Sequence, residues 1–312
     1  MFNHKHLLSI DDLSSDDIMT VLEQARKFEE VNERSIKKVP ALRGKTVCNL
    51  FFEPSTRTRG SFELAEKRLS CDSLNAGGSA SSTVKGESLV DTVRTIDAMK
   101  VDMFIVRHKC AGAPYMVSQN TNASVIDAGD GKHQHPTQAL LDLYTIWKEK
   151  CSFDGLRVGI VGDIAHSRVC GSLVPALKKM GANVTLIAPA TLLPACPEAL
   201  GADEVTPYFD EVLPSLDVVY MLRIQMERLE NAPFPSLREY HLLYGLNEQR
   251  SHLMKEDAII CHPGPINRGV ELDSYMADGH KSVIVEQVFS GVCVRMALIY
   301  LLLGGANDEI AH

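Results

Sequence analysis

From residue 46 onward the chain repeats one pattern, a short apolar run followed by a longer stretch whose apolar residues recur at helical spacing. The runs at 46–52, 103–106, 124–126, 158–162, 184–188, 218–222 and 258–261 predict strands, and the stretches between them predict amphipathic helices. Strands alternating with helices predict parallel sheets covered on their faces, an α/β fold. Ahead of them, Ser14 and Asp17 stand at capping-box spacing, and Ile18, Val21, Leu22, Ala25 and Phe28 keep one helical face apolar. The most apolar segment, 283–303, is interrupted by Glu286, Gln287 and Arg295. A membrane span needs about 20 nearly uncharged residues, so this segment predicts a buried helix.

Length divides that fold class in two. A chain of 312 residues exceeds what one core usually organises, which predicts two domains. The net charge of -8 argues against a nucleic-acid surface, which is ordinarily basic. Anionic small molecules stay compatible if the basic residues gather locally. The eight cysteines are scattered, without a Cys-x-x-Cys pair or a nearby histidine at zinc spacing. They read as reduced, mostly buried thiols of a cytoplasmic protein, with no metal and no cofactor expected. Asp11, Asp12, Asp16 and Asp17 precede any long apolar run, which is not a signal-peptide pattern, and no membrane association is expected.

The candidate chemistry lies where the strands end, the edge at which open α/β sheets bind ligands. Glu53-Pro54-Ser55-Thr56-Arg57-Thr58-Arg59 follows the first run and opens a helix. Hydroxyls, unpaired N–H groups and guanidiniums meet there at one helix N-terminus, which makes an anion site; a capped helix with two solvated arginines is the bland reading. Arg107-His108 closes the 103–106 run toward the same edge. His135 precedes Pro136, which suits a first helical position, so the helix dipole opposes protonation of the imidazole. A neutral ring there can donate to a carbonyl oxygen, with Gln138 one turn on facing the same ligand; a capping histidine beside an exposed glutamine is the alternative.

Further along, Arg168 follows Gly159-Ile160-Val161-Gly162-Asp163 and His166-Ser167. A dinucleotide fold would place Gly-x-Gly-x-x-Gly here and an acidic residue after the next strand, and neither is present. Arg168 fits a carboxylate instead. Arg223-Ile224-Gln225 closes the 218–222 run, and two arginines from adjacent strands can hold both carboxylates of a dicarboxylic molecule; two unrelated surface arginines are the other possibility. In Cys261-His262-Pro263-Gly264-Pro265 the prolines fix φ and remove donors, leaving carbonyls able to accept from a ligand NH₂. The polar segment 77–87, rich in glycine and serine, carries Lys85 and reads as a loop of the kind that closes over a site.

Together these motifs resemble the aspartate and ornithine carbamoyltransferase family along nearly the whole chain. Ser55-Thr56-Arg57-Thr58-Arg59 carries the resemblance, supported by Arg107-His108, His135-Pro136-Thr137-Gln138 and the order of elements. Ornithine-specific members typically carry His-Cys-Leu-Pro and a Ser-Met-Gly loop, whereas His262-Pro263-Gly264-Pro265 and Arg223-Ile224-Gln225 resemble the aspartate branch. The resemblance implies transfer of the carbamoyl group of carbamoyl phosphate to the amine of L-aspartate, giving N-carbamoyl-L-aspartate and phosphate, a step of pyrimidine synthesis. It also implies two α/β domains, each a parallel sheet flanked by helices, with the active site in the cleft between them. Residues 1–149 would bind carbamoyl phosphate, 150–285 would bind L-aspartate, and 286–312 would form a helix packing back on the first domain.

Site roles follow from the same resemblance. Ser55, Thr56, Arg57 and Thr58 would hold the phosphate, and Arg107, His135 and Thr58 would polarise the carbonyl oxygen. Gln138 with the carbonyls of Gly264 and Pro265 would fix the carbamoyl NH₂, and Arg168, Arg223 and Gln225 would bind aspartate. Ser81 and Lys85 would come from the neighbouring chain of a homotrimer with shared active sites; whether that trimer joins a regulatory chain or a dihydroorotase is left open. One departure is visible: many members have Leu between the two prolines of the His-Pro-x-Pro turn and Arg directly after it, where this chain has Gly264 and Ile266, with Arg268 later. Two other readings stay open on sequence, an ornithine-type carbamoyltransferase and a non-catalytic phosphate-binding paralogue.

Overall fold

The structure is a computed structural model that describes residues 2–77, 87–224 and 236–304. Ser81, Lys85 and Gln225 lie outside the described residues. Contacts divide the chain into two compact units, Met1–Tyr144 with Phe289–His312, and Thr145–Val288.

The first unit begins with α1 (Ser15–Glu33) and continues through β1 (Thr46–Phe51), α2 (Thr56–Arg68), β2 (Asp72–Ala76), α3 (Leu89–Asp97), β3 (Met103–His108), α4 (Ala113–Ser118), β4 (Ser124–Asp130) and α5 (Pro136–Lys150). Its four strands lie parallel in the order β2-β1-β3-β4. The chain therefore moves outward from β1 to β2, then returns to place β3 on the other side of β1. That reversal opens a crevice at the carboxyl ends of β1 and β3, where open α/β sheets bind ligands.

The second unit repeats the device. It contains β5 (Arg157–Val161), α6 (Arg168–Lys179), β6 (Asn183–Ile187), β7 (Glu204–Thr206), α7 (Phe209–Val212), β8 (Val218–Met221), α8 (Leu237–Tyr244), α9 (Glu248–Ser251), β9 (Ile259–Cys261) and α10 (Ser274–Ala277). The parallel order β7-β6-β5-β8-β9 puts the reversal between β5 and β8.

Local sequence explains the elements. Ser14 accepts from Asp17 N–H at 3.1 Å while Asp17 Oδ2 accepts from Ser14 N–H at 3.0 Å, closing the expected capping box, and Ile18, Val21, Leu22, Ala25 and Phe28 are buried. One core layer of the first unit gathers Cys48, Leu50, Phe104, Val106 and Val125 from the sheet under Val93 and Ile96 of α3. The last helix, α11 (Ile284–Leu302), is long and apolar enough by composition to cross a membrane, yet 72% of its apolar window is buried inside the fold. It packs through Tyr300 edge-on to Phe28 at 5.6 Å between centroids, and Asn32 Nδ2 donates to Cys293 Sγ at 3.1 Å.

Three features depart from the sequence reading. Strands β2 and β7 lie at sheet edges, β2 without a buried residue and β7 with only Thr206 buried, so neither has the apolar run that marked the others. Strands β3 and β4 run on to His108 and Asp130, which puts Arg107 inside a strand instead of after one. The division between units falls at 144/145 and 288/289 rather than 149/150 and 285/286, inside helices α5 and α11, because a continuous helix carries no composition break to mark it.

Candidate active site

In the first unit, β1 leads through Phe52 to Ser55 into α2, whose N-cap is Ser55 in extended conformation (φ -159°, ψ 93°). The Ser55 hydroxyl makes no capping bond to the helix, so the first-turn N–H groups, which no helical carbonyl can reach, face outward at the positive end of the dipole. Thr58 is buried in that turn and Arg57 is exposed. Arg59 turns elsewhere, its Nε 2.9 Å from Glu63 Oε1 one turn along the surface.

Register brings the next residue to this turn. Arg107 of β3 lies opposite Phe51, and its carbonyl accepts from Phe52 N–H at 2.9 Å. The guanidinium is fixed by three groups: Nε lies 3.2 Å from Glu53 Oε2, and Nη1 donates to Ala128 O at 3.1 Å and approaches His135 Nε2 at 3.5 Å. His135 is buried immediately before Pro136, the first residue of α5. Gln138 follows in the first turn, where its Nε2 donates to Asp142 Oδ1 at 3.0 Å. Asp142 is fully buried and interacts electrostatically with Arg295 of α11, a buried guanidinium that burial pushes down to about 10.

In the second unit, β5 is followed by Gly162 (φ +126°), where a Cβ would stand 3.1 Å from both Leu222 O and Tyr240 Oη. Close approach of the β5 and β8 ends therefore requires glycine there. Asp163, fully buried, accepts from His166 Nδ1 at 2.7 Å and His166 N–H at 3.3 Å, closing the turn that delivers Arg168, buried, to the first position of α6. Arg223, half-buried, leaves β8 two residues beyond its end. Because β5 and β8 are neighbours, the two arginines emerge at one sheet edge.

The 261–271 turn closes the second group. Gly264 takes φ +63° ahead of a cis bond to Pro265, and its N–H donates to His262 Nδ1 at 2.8 Å. His262 Nε2, 3.1 Å from Glu271 Oε1, is then the nitrogen that carries the proton. Sequence reasoning missed Glu53, Asp142, Glu271 and Arg295. Glu53 had a signal, an acid directly preceding a basic turn; the others are ordinary charges until the fold buries them.

Comparison with known proteins gives this geometry a lineage. Residues 5–148 match the aspartate/ornithine carbamoyltransferase carbamoyl-P binding domain, and residues 154–302 match the Asp/Orn binding domain of the same family. The chain belongs to the aspartate/ornithine carbamoyltransferase family. The aspartate carbamoyltransferase catalytic subunit of Syntrophotalea carbinolica is 55% identical over 308 residues, 99% of this chain and 98% of the relative. Among solved structures, Trypanosoma cruzi aspartate transcarbamoylase in complex with carbamoyl phosphate superposes with a TM-score of 0.87 at 30% identity, covering 96% of each chain. The catalytic subunit of M. jannaschii aspartate transcarbamoylase superposes with a TM-score of 0.84 at 36% identity, covering 98% of this chain and 100% of the other. Within the carbamoyltransferase family, the named relatives thus fall on the aspartate side.

Proposed function

We propose that this chain transfers the carbamoyl group of carbamoyl phosphate to the amine of L-aspartate, giving N-carbamoyl-L-aspartate and phosphate in pyrimidine synthesis. The observation that carries the reading is the pairing of guanidiniums with both sheet reversals: Arg57 and Arg107 in one unit, Arg168 and Arg223 in the other. One pair suits a phosphate and its adjoining carbonyl, and the other suits a dicarboxylate. Relatives are named for this activity, and T. cruzi aspartate transcarbamoylase is solved with N-(phosphonacetyl)-L-aspartic acid.

In this reading Ser55, Thr56, Arg57 and Thr58 hold the phosphate. Arg107, His135 and Thr58 face the carbonyl oxygen, where negative charge grows as the amine nitrogen attacks the carbonyl carbon. Gln138 and the carbonyls of Gly264 and Pro265 hold the carbamoyl NH₂, while Arg168, Arg223 and Gln225 hold aspartate. The tetrahedral intermediate collapses by breaking the carbon–oxygen bond to phosphate, which leaves carrying the amine proton. No covalent enzyme intermediate is involved, so orientation and charge stabilisation supply the rate.

The proposal extends to a cytoplasmic homotrimer in which Ser81 and Lys85 complete a neighbour's site. Incubation with carbamoyl phosphate and either amino acid tests the reaction: a colorimetric ureido assay should detect carbamoyl aspartate. Citrulline formed from ornithine in its place overturns it, as does no product from either. Light scattering at the mass of one chain would overturn the trimer.

A further inference from the structure

After the 262–265 turn come Ile266, Asn267 and Arg268, and the structure shows what the last two hold. Arg268 does not enter the site. Its two Nη atoms each lie 2.7 Å from an oxygen of Asp278 in an exposed ion pair. Asn267, the residue before it, bridges two parts of the candidate site instead. Its backbone N–H donates to Glu271 Oε1 at 2.6 Å, and its side-chain Nδ2 donates to Ile224 O at 3.0 Å.

Each end of that bridge is itself anchored. Glu271 is fully buried and also meets His262 Nε2 at 3.1 Å, while His262 N–H donates to Gln287 Oε1 at 2.9 Å and His262 Nδ1 accepts from Gly264 N–H at 2.8 Å. The turn that presents Gly264 and Pro265 is therefore tied to a buried carboxylate. At the other end, Ile224 is fully buried and directly follows Arg223. Holding the Ile224 carbonyl fixes the carbonyl end of the residue next to Arg223, and so limits the backbone freedom of the segment that carries the arginine.

We propose that Asn267 is a positioning residue that locks the Gly264–Pro265 turn to the end of β8, so that Arg223 is held ready for a substrate carboxylate. This rests on the reading of Arg223 as an aspartate ligand. Hydrogen bonds that hold a binding group in place act through pre-organisation, and their loss appears as weaker binding of the ligand that group contacts.

The test is steady-state kinetics of the full chain with L-aspartate varied at saturating carbamoyl phosphate. Asn267→Ala should raise the aspartate KM about tenfold, the range expected for one net hydrogen bond. The carbamoyl phosphate KM should move less than about twofold and the melting temperature by no more than about 3 °C. Asn267→Asp keeps the shape but turns an acceptor toward Ile224 O, so it should raise the aspartate KM at least as much; a purely space-filling role would be rescued by it. An aspartate KM within twofold of wild type in both variants, or a loss of kcat and melting temperature alone, overturns the proposal. Arg223→Ala serves as reference: if it too leaves aspartate KM unchanged, the assignment of Arg223 fails and takes this inference with it.

Discussion

Arg107 and His135, contributed by a strand and a helix start, approach to 3.5 Å through Nη1 and Nε2, with the guanidinium also bonded to Ala128 O and Glu53. The guanidinium can only donate, so in this contact Nε2 is the acceptor when the ring proton sits on Nδ1. In the proposed function, Arg107 donates to the substrate carbonyl oxygen and His135 donates to the same atom from the tautomer that carries its proton on Nε2.

Removing either should damage turnover more than folding. Arg107→Ala is expected to lower kcat by a factor of about 10²–10³, the size seen when one pre-organised oxyanion donor is lost. His135→Ala should cost less, and the double variant less than the product of the two, because the proposed mechanism has them serve one oxygen. Full multiplicativity in a double-mutant cycle would show that they act on separate atoms.

Arg57 occupies an exposed first-turn position, so its removal disturbs little packing. Arg57→Ala should leave the melting temperature within about 2 °C of wild type, since substitutions away from buried features usually fall within ±0.5 kcal/mol. Inorganic phosphate should bind at least tenfold more weakly by calorimetry. A melting-temperature loss like that of a core truncation would mark Arg57 as structural.

Glu66 gives a pH signature that belongs to the fold and not to the reaction. It is fully buried on α2, and Asn49 Nδ2 donates to both of its oxygens at 2.9 and 3.1 Å. Burial, the largest influence, pushes its carboxyl from an ordinary 4.5 up to about 7. The folded chain thus keeps a proton that the unfolded chain releases near 4.5, so stability falls as pH rises from about 4.5 to about 7 and levels off above. The loss attributable to Glu66 is about 3 kcal/mol. Denaturant titrations of wild type and Glu66→Gln at pH 5 and pH 8 should differ in slope against pH by that amount; parallel curves would refute it.

Sequence periodicity revealed the α/β class and the polar residues at the strand ends, because central strands are apolar runs, and chain length pointed to two units. Edge strands β2 and β7 escaped because half of their surface meets water. The candidate residues Arg57, Arg107, His135, Arg168 and Arg223 could be picked out in sequence because each lies near the end of an apolar run or at the start of the helix that follows. Glu53 and Asn267 could not, since their partners are distant in sequence, Arg107 lying 54 positions from Glu53 (107 − 53) and Ile224 43 from Asn267, while Asp142 and Glu271 are ordinary charges until the fold buries them. No local pattern encodes such a pairing. The resemblance to a family supplied roles that periodicity alone could not, and the folded chain supplied the buried charges that hold those roles in place.

Arg295 is the buried charge whose removal should be felt furthest. It lies on α11, where Nη1 donates to Ser61 Oγ of α2 at 3.0 Å and to Gly291 O at 3.1 Å, and the guanidinium stands 5.0 Å from the Phe62 ring centroid. Its charge is attracted by Asp142, which also holds Gln138, and opposed by that of Arg107. Even pushed down to about 10, it stays protonated at neutral pH. Arg295→Met keeps much of the volume but leaves Asp142 buried without that cation, a change expected to cost about 3 kcal/mol or more. The loss should shrink in Arg295→Met combined with Asp142→Asn, which removes the stranded charge. Chemical denaturation of the two single variants and the double variant measures this directly, and additive losses would show that Asp142 and Arg295 do not depend on one another.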